Sequence, residues 1–552
     1  MKDQIGKITI GNIMESMARI ASENEALVYP EHDLRYTYGE FYEICRKAAR
    51  GFMGLGIERG DHVAIWATNV PEWVITQFGS ALMGATLVTV NTLYKNFEVE
   101  YVLKQSDAST LILIDGQKDS NYIDIINEVC PELAGSEPGK INSQHLPKLR
   151  NVVHIGSGRH PGMFTWDDVI EIGEQVTDGE LDDRLALLDP DDVVNMQYTS
   201  GTTGFPKGVM LTHSNLIGNA YSVADCMRLT SADRLCIPVP LFHCFGCSLG
   251  TMTCLVSGAT MVPVERFNPI VVLETIEKEK CTALHGVPTM FITELEVLKN
   301  TEYDLTTLRT GIMAGSNCPE EVMKAVMEKM GMDEITITYG QTESSPGITM
   351  TRTGDSLERR VGTVGKALPG VEVKIVDPET GENVEAGVQG EICTRGYHVM
   401  KGYYKMPEAT SAVVGRDGWL HTGDLGIMDE EGYLRVTGRI KDMIIRGGEN
   451  IYPREIEEFL YTNDKVKDVQ VVGVPSVKYG EEVMAFIQLR ENTYGTEQEI
   501  KDFCKGKIAG YKIPRYISFV ANYPTTASGK IQKYKLREQA IETLGLERTA
   551  VL

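Results

Sequence analysis

Residues 193–208 read Val193-Val194-Asn195-Met196-Gln197-Tyr198-Thr199-Ser200-Gly201-Thr202-Thr203-Gly204-Phe205-Pro206-Lys207-Gly208, an apolar strand running straight into a loop of small hydroxylated residues. Gly201, Gly204 and Gly208 free the backbone so that successive N–H groups can point inward as an anion nest. Five hydroxyl or phenol groups add donors and Lys207 adds a cation, which together suit a polyphosphate. The loop is not the Walker P-loop: Pro206 stands where that spacing needs glycine, and Gly208 where it needs Ser or Thr. A flexible Ser/Gly linker has a similar composition, but the position directly after a buried strand argues against it.

Working outward, apolar runs of strand length recur at 62–68, 86–90, 110–114, 152–155, 193–198, 259–264 and 335–339, separated by amphipathic helical stretches. Alternating β and α units predict an α/β fold with parallel sheets covered by helices on both faces. Pro71 and Pro319 are placed in the first turns of helices, and Val322, Val326 and Met330 are read as one apolar helix face in the core. From about Val361 short alternating strands, 371–375 and 390–394, indicate a small β-rich subdomain, and the tail from Asp442 has its own strand and helix pattern.

At 552 residues the chain exceeds what one core organises, which excludes a small binding module. Hydrophobic residues at 42% and charged residues at 24% exclude wholesale disorder. The net charge of -23 has the wrong sign for general nucleic-acid or anionic-membrane binding. That charge lies on residues 1–441, because 442–552 hold sixteen basic and sixteen acidic side chains. Within the tail, 501–537 carry nine basic residues against the single acid Asp502, a contrast that suggests separate domains with separate electrostatic tasks.

The first twenty residues lack the apolar centre of a signal peptide. The stretch 237–264, which has no Lys, Arg, Asp or Glu, contains three prolines and three glycines, so a buried strand-loop-helix-strand is expected and no transmembrane segment. Eleven scattered cysteines fit reduced thiols in a cytoplasmic protein.

Four further motifs follow in order: Tyr339-Gly340-Gln341-Thr342-Glu343 after a strand, Trp419-Leu420-His421-Thr422-Gly423-Asp424, Gly438-Arg439-Ile440-Lys441-Asp442 where the charge balance changes, and Pro524-Thr525-Thr526-Ala527-Ser528-Gly529-Lys530. In this order, with the phosphate loop, they closely resemble the adenylate-forming superfamily of acyl-CoA synthetases, nonribosomal-peptide adenylation domains and firefly luciferase. The likeness spans roughly residues 34–537. Tyr511-Lys512-Ile513-Pro514-Arg515 and Pro240-Leu241-Phe242-His243-Cys244-Phe245-Gly246 are most similar to the fatty-acyl-CoA synthetase branch.

The resemblance implies a large N-terminal domain, 1–438, of two parallel-sheet α/β subdomains plus a small β-barrel subdomain. A hinge at 439–441 and a small mobile α+β C-terminal domain, 442–552, would follow. It implies activation of a carboxylic acid by ATP with Mg²⁺ to an acyl-adenylate, then transfer to coenzyme A with release of AMP. On this likeness Lys530 takes the carboxylate and α-phosphate, and Thr199, Ser200, Gly201, Thr202, Thr203, Gly204 and Lys207 cradle the β- and γ-phosphates. Glu343 is the Mg²⁺ ligand and Thr342 meets the α-phosphate. Tyr339, with Gly340 and Gln341, lies against adenine beside Ala314-Gly315-Ser316, and Asp424 and Arg439 take the ribose hydroxyls. Lys441 is the hinge, Gly447, Gly448 and Glu449 form the CoA contact, and a homodimer is a family-level expectation.

The acyl pocket is expected from His243, Phe245, Gly246, Val287, Gly315, Gly340 and Gly347. Its segments, 242–246, 287–291, 314–317, 340 and 345–347, contain no Lys or Arg, so the tail of the acid is expected to be apolar. The small residues suggest an elongated slot suited to medium- or long-chain fatty acids. An aryl or alicyclic acid, transfer to a carrier protein and a non-catalytic nucleotide sensor stay open as alternatives. His243 is balanced between an acyl-pocket role and a buried, hydrogen-bonded one, and His213 is read as structural. The redox-like spacing Cys244-x-x-Cys247 and the carrier-like Gly354-Asp355-Ser356-Leu357 are discounted, the first for want of a second pair and the second for want of room for a carrier domain.

Overall fold

The strand β1 (His62–Trp66) has Val63, Ala64, Ile65 and Trp66 fully buried on both faces, the pattern of a parallel strand covered by helices. The computed structural model in which this is seen describes residues 6–199, 206–316, 318–447, 449–526 and 531–546. With β1 run β2 (Thr86–Thr89), β3 (Thr110–Ile114), β4 (Asn151–Ile155), β5 (Val193–Thr199) and β6 (Lys207–Thr212). The eight-stranded order is Gly402–Tyr403, β6, β5, β2, β1, β3, β4, Phe164–Thr165. Pairs from β5 to Phe164–Thr165 are parallel, whereas β6 is antiparallel to both of its neighbours.

A nine-stranded sheet contains β7 (Arg234–Ile237), β8 (Thr260–Pro263), β9 (Ala283–Gly286), β10 (Thr310–Met313), β11 (Glu334–Gly340) and β12 (Gly347–Met350). Its order is Lys366–Ala367, β12, β11, β10, β9, β7, β8, Glu25–Tyr29, Leu34–Thr37. The inner strands are parallel and both edges antiparallel. The sheets are therefore mixed at their edges, because the short links from β5 to β6 and from β11 to β12 cannot carry a parallel crossover of a dozen residues.

Pro71 is the first residue of α1 (Pro71–Met83), where its missing N–H costs no helix bond, and every residue of this helix except Glu72 is buried. The helix α2 (Pro288–Val297) also starts on proline. Pro319 instead precedes α3 (Glu320–Met330) as an extended cap residue with ψ 136°. The buried face of α3 is Met323, Val326 and Met330, with Val322 only partly covered. Spacing of three then four follows the 3.6-residue turn, whereas the steps of four from Val322 drift off the face. Residues 244–257 are helical, with a π-helical stretch Cys247–Met252, between β7 and β8. Among the described residues no helix is long and apolar enough to cross a membrane.

By its contacts the chain forms two compact units, residues 1–373 with 394–420, and residues 374–393 with 421–552. A four-stranded sheet runs Val371–Val376, Gln389–Gly396, β13 (Leu420–Met428), β14 (Leu434–Arg439). The tail folds as a five-stranded sheet of Ile444–Arg446, Glu449–Ile451, Val466–Ser476, Gly480–Leu489 and Tyr516–Phe519, with its own core of Ile444, Ile456, Leu460, Val469, Val483 and Ile487.

Candidate active site

In the first unit the chemistry-bearing residues leave the C-terminal ends of parallel strands, where ligands of open α/β sheets bind. Gly286 of β9 opposes Met313 of β10, which opposes Ile337 of β11. Val287, the loop Ala314-Gly315-Ser316 and the Tyr339-Gly340 pair thus emerge side by side from one sheet edge. In the other sheet Thr199 ends β5 directly opposite Lys207 of β6, so an antiparallel pair flanks the candidate phosphate loop in sequence. Ser200, Gly201, Thr202, Thr203 and Gly204 lie outside the described residues, as do Asn317, Gly448 and Lys530.

The turn after β11 presents Glu343. Gln341 donates its N–H to Ser344 Oγ (3.0 Å), and Ser344 Oγ donates to the Pro346 carbonyl (2.6 Å). Ser345 Oγ donates to the His398 carbonyl (2.7 Å). Met400 donates its N–H to the Glu343 carbonyl (2.9 Å), which brings the following Gly402–Tyr403 strand alongside. Tyr403 pairs with Val209 of β6 and donates its hydroxyl to Glu343 Oε1 at 2.8 Å. On the Tyr403 ring face sits Lys207 Nζ, 4.8 Å from the centroid. Burial, reinforced by the Glu343 carboxylate, pushes the Tyr403 phenol well above its ordinary range, so it stays a donor. One aromatic residue thus links the candidate phosphate-loop lysine to the candidate metal carboxylate. The sequence reading missed Tyr403; the adjacent tyrosines in Lys401-Gly402-Tyr403-Tyr404 were the only local signal.

Thr342 is buried beside Cys244, Sγ to Oγ1 3.8 Å. His243 is half-buried and its Nδ1 accepts from the Phe245 N–H (3.2 Å), capping the turn Cys244–Gly246. That gives it a structural task at one ring nitrogen. The buried Phe245 ring lies 5.5 Å from the ring of His285, a residue absent from the sequence candidates. His285 donates Nε2–H to the Leu249 carbonyl (3.0 Å) and accepts at Nδ1 from the Ile312 N–H (3.2 Å). Burial pushes its pKa down to about 4, so it is a neutral tie between β9, β10 and the helical segment.

The glycines expected to open an acyl slot have another cause. A Cβ on Gly340 would stand 1.8 Å from the Pro346 carbonyl oxygen, and one on Gly246 2.4 Å from that of Pro240. At Gly347 it would meet Leu368 Cδ1 at 2.9 Å. The missing side chains make room for the protein's own backbone and core, so these glycines do not measure the pocket.

In the second unit Asp424 and Arg439 face each other across β13 and β14, with Arg439 Nε 2.9 Å from Asp424 Oδ1. Asp424 is buried and Arg439 half-exposed. Glu391 holds the approach: Oε1 accepts from the Gly423 N–H (3.0 Å) and Oε2 meets His421 Nδ1 at 2.8 Å. Lys441 is exposed in the short helical turn Ile440–Asp442. Gly447 has a left-handed φ of 61° and donates its N–H to the Tyr479 carbonyl, while Glu449 is exposed on Glu449–Ile451. Arg446, also unforeseen, grips the buried Glu482 with two bonds of 2.7 and 3.1 Å and lies over the Tyr479 ring.

The discounted signals have plain structural roles. His213 is buried, accepts the Ile10 N–H at 3.2 Å, and is pushed by burial down to about 4. Cys244 and Cys247 are buried thiols outside any disulfide. Ser356 caps the helix Leu357–Gly362 by accepting the Arg359 N–H.

The AMP-binding enzyme family matches over residues 14–404, and the AMP-binding enzyme C-terminal domain over residues 455–530. The chain is 59% identical over 538 residues to YngI of Bacillus subtilis (strain 168), named an acyl-CoA synthetase, with 98% of each chain covered. It is 43% identical over 543 residues to the mitochondrial medium-chain acyl-CoA ligase ACSF2 of Danio rerio, covering 98% of this chain and 89% of that one. The crystal structure of the anthranilate CoA ligase AuaEII with anthranoyl-AMP is similar with a TM-score of 0.86 at 28% identity, covering 99% of this chain and all of that one. Matched in both family segments and along nearly its whole length, the chain belongs to the AMP-binding enzymes of the adenylate-forming superfamily.

Proposed function

We propose that this acyl-CoA synthetase activates a medium- or long-chain fatty acid, forming acyl-adenylate and pyrophosphate from ATP and then the CoA thioester with release of AMP. The observation that carries the reading is Tyr403, which joins the phosphate-loop cation Lys207 to the carboxylate of Glu343. The apolar tail is supported by the absence of Lys and Arg from the expected pocket segments and by the name of the medium-chain relative.

The first step brings a carboxylate against an already anionic α-phosphate, so positioning and charge neutralisation dominate. Two unit charges about 4 Å apart interact by about 4 kcal/mol at an effective dielectric near 20, and each ~1.4 kcal/mol is tenfold in rate. The reading gives that neutralisation to Lys530 at the α-phosphate and carboxylate, and to Lys207 with Thr199 and the loop 200–204 at the β- and γ-phosphates. Thr342 adds a hydroxyl at the α-phosphate. Tyr339 and the 314–316 loop take adenine. Asp424, paired with Arg439, takes the sugar. Gly447, Gly448 and Glu449 take the CoA arm, and Lys441 serves as the hinge between half-reactions.

Mg²⁺ is held by hard oxygens, one or two carboxylates and substrate phosphates, a demand that a single oriented Glu343 meets. Bound there, it would supply charge neutralisation at the polyphosphate. Tyr403 keeps that carboxylate oriented before ATP arrives, which lowers the ordering cost of binding.

The test is AMP release from a panel of short-, medium- and long-chain fatty acids, aryl acids and dicarboxylates, with and without CoA. CoA-dependent turnover highest with unsubstituted fatty acids of medium or long chain is expected. Preference for aryl acids or dicarboxylates would overturn the substrate class, and turnover indifferent to CoA would overturn the second step.

A further inference from the structure

We propose that Asp115, His154 and His160 form a binding site for a divalent transition-metal ion, remote in the fold from Glu343 and serving no step of the reaction above. β3 and β4 are parallel and paired Leu113 to His154, so Asp115, two residues after Leu113, projects from the same face as the imidazole. The ligand atoms of Asp115, His154 and His160 all lie within 4.8 Å of one another.

The hydrogen bonding at His154 leaves its Nε2 facing the Asp115 carboxylate. Its Nδ1 is 3.1 Å from the Gly158 carbonyl, an acceptor, so Nδ1 carries the hydrogen. In the neutral ring Nε2 is then a lone pair, and it faces Asp115 Oδ1 at 2.8 Å, another acceptor. Two acceptors at that distance need a hydrogen or a cation between them, and a bound metal ion meets that need once Asp115 moves outward. A ring nitrogen fixed by a backbone carbonyl, with the other aimed outward, is the arrangement that orients metal-bound histidines.

His160 supplies what an ion pair alone does not require. The loop from Gly156 carries it back so that its ring meets His154 edge-on, 4.6 Å between centroids. The loop passes so close that a Cβ on Gly156 would stand 2.5 Å from His154 Cε1. Metal–ligand bonds of about 2.0–2.2 Å would hold neighbouring donor atoms somewhat farther apart than 2.8 Å. Asp115, whose side chain is 80% exposed, can swing to provide that separation.

A cavity of about 450 Å³, lined by His32, Glu72, Asp115, Trp166 and Arg266 among others, opens beside Asp115 and gives water access to the remaining coordination positions. Two imidazoles and one carboxylate suit Zn²⁺, Co²⁺, Ni²⁺ or Cu²⁺ rather than Mg²⁺. A second trio, Glu391, Cys393 and His421, also has metal-like spacing, but Glu391 already spends both oxygens on Gly423 and His421.

Full-length, chelator-stripped protein is titrated with Co²⁺ under excess Mg²⁺, following the visible absorption of the bound ion. His160→Ala and Asp115→Asn are the test variants, since both side chains lie outside the buried core that His154 occupies, and Cys393→Ser is the control. One Co²⁺ per chain without a thiolate charge-transfer band is expected. Affinity should fall about tenfold or more in each test variant and stay unchanged in the control. Zn²⁺ should raise the unfolding temperature of the wild type and not of His160→Ala. Unchanged Co²⁺ binding in His160→Ala, or binding lost in Cys393→Ser, would overturn the proposal.

Discussion

The Tyr403 hydroxyl donates to Glu343 Oε1 at 2.8 Å, across sixty residues of sequence, from a strand that joins the sheet edge beside the phosphate loop. A hydrogen bond to a charged group is worth about 1.5–3 kcal/mol. Tyr403→Phe keeps the ring face offered to Lys207 and removes only the donor. The Mg²⁺ concentration for half-maximal AMP formation should rise about tenfold, with the fold and the acid preference retained. Steady-state rates against Mg²⁺ at fixed ATP check this, and an unchanged Mg²⁺ dependence would contradict the orienting role.

Asp424 and Arg439 are a separate case, because an ion pair with a half-exposed partner adds little stability. The weight of Asp424 should lie in ATP binding. Asp424→Asn is expected to raise KM for ATP about tenfold while KM for the acid moves little. A lowered unfolding temperature with unchanged KM for ATP would make the pair purely structural.

Lys530→Ala separates the half-reactions. Adenylate formation should fall by several orders of magnitude, while thioester formation from supplied acyl-adenylate and CoA continues near the wild-type rate. Equal loss in both assays would contradict its assignment to the first step.

Glu294 of α2 is buried, and among the described residues its Oε2 has no hydrogen-bond partner. Burial pushes its pKa up to about 8 from the ordinary 4.5. Between those values the folded chain keeps a proton that the unfolded chain has released, so this group makes stability fall as pH rises from about 4.5 to about 8 and adds no further slope above. Glu294→Gln should remove that slope and leave the variant more stable than the wild type at pH 8 by a few kcal/mol, less so at pH 5. Chemical denaturation at the two pH values checks it; equal effects at both would contradict a buried neutral acid.

The parts of the fold and site legible in the sequence are those written contiguously. The candidate phosphate loop and Thr342-Glu343 each follow a strand, and strand periodicity located those strands to within a residue or two at 193–198 and 335–339, whereas Asp424 lies inside β13. Tyr403 and His285 were illegible because their neighbours come from sheet order: Gly402–Tyr403 reaches β6 over some two hundred residues. The glycines at 246, 340 and 347 were visible as small residues, but only packing tells that a backbone carbonyl or a leucine, rather than a ligand, fills the space. On α3 the face shifted by one residue, from Val322 to Met323, because a helix turns in 3.6 and not four.

The most direct measurement is a single-turnover reaction of the enzyme with Mg²⁺, ATP and a medium-chain fatty acid, quenched without CoA and then chased with CoA. Stoichiometric acyl-adenylate and pyrophosphate before the chase, converted to acyl-CoA and AMP after it, is the expected result. Release of ADP and phosphate, or an adenylate that CoA leaves untouched, would contradict the two-step reaction.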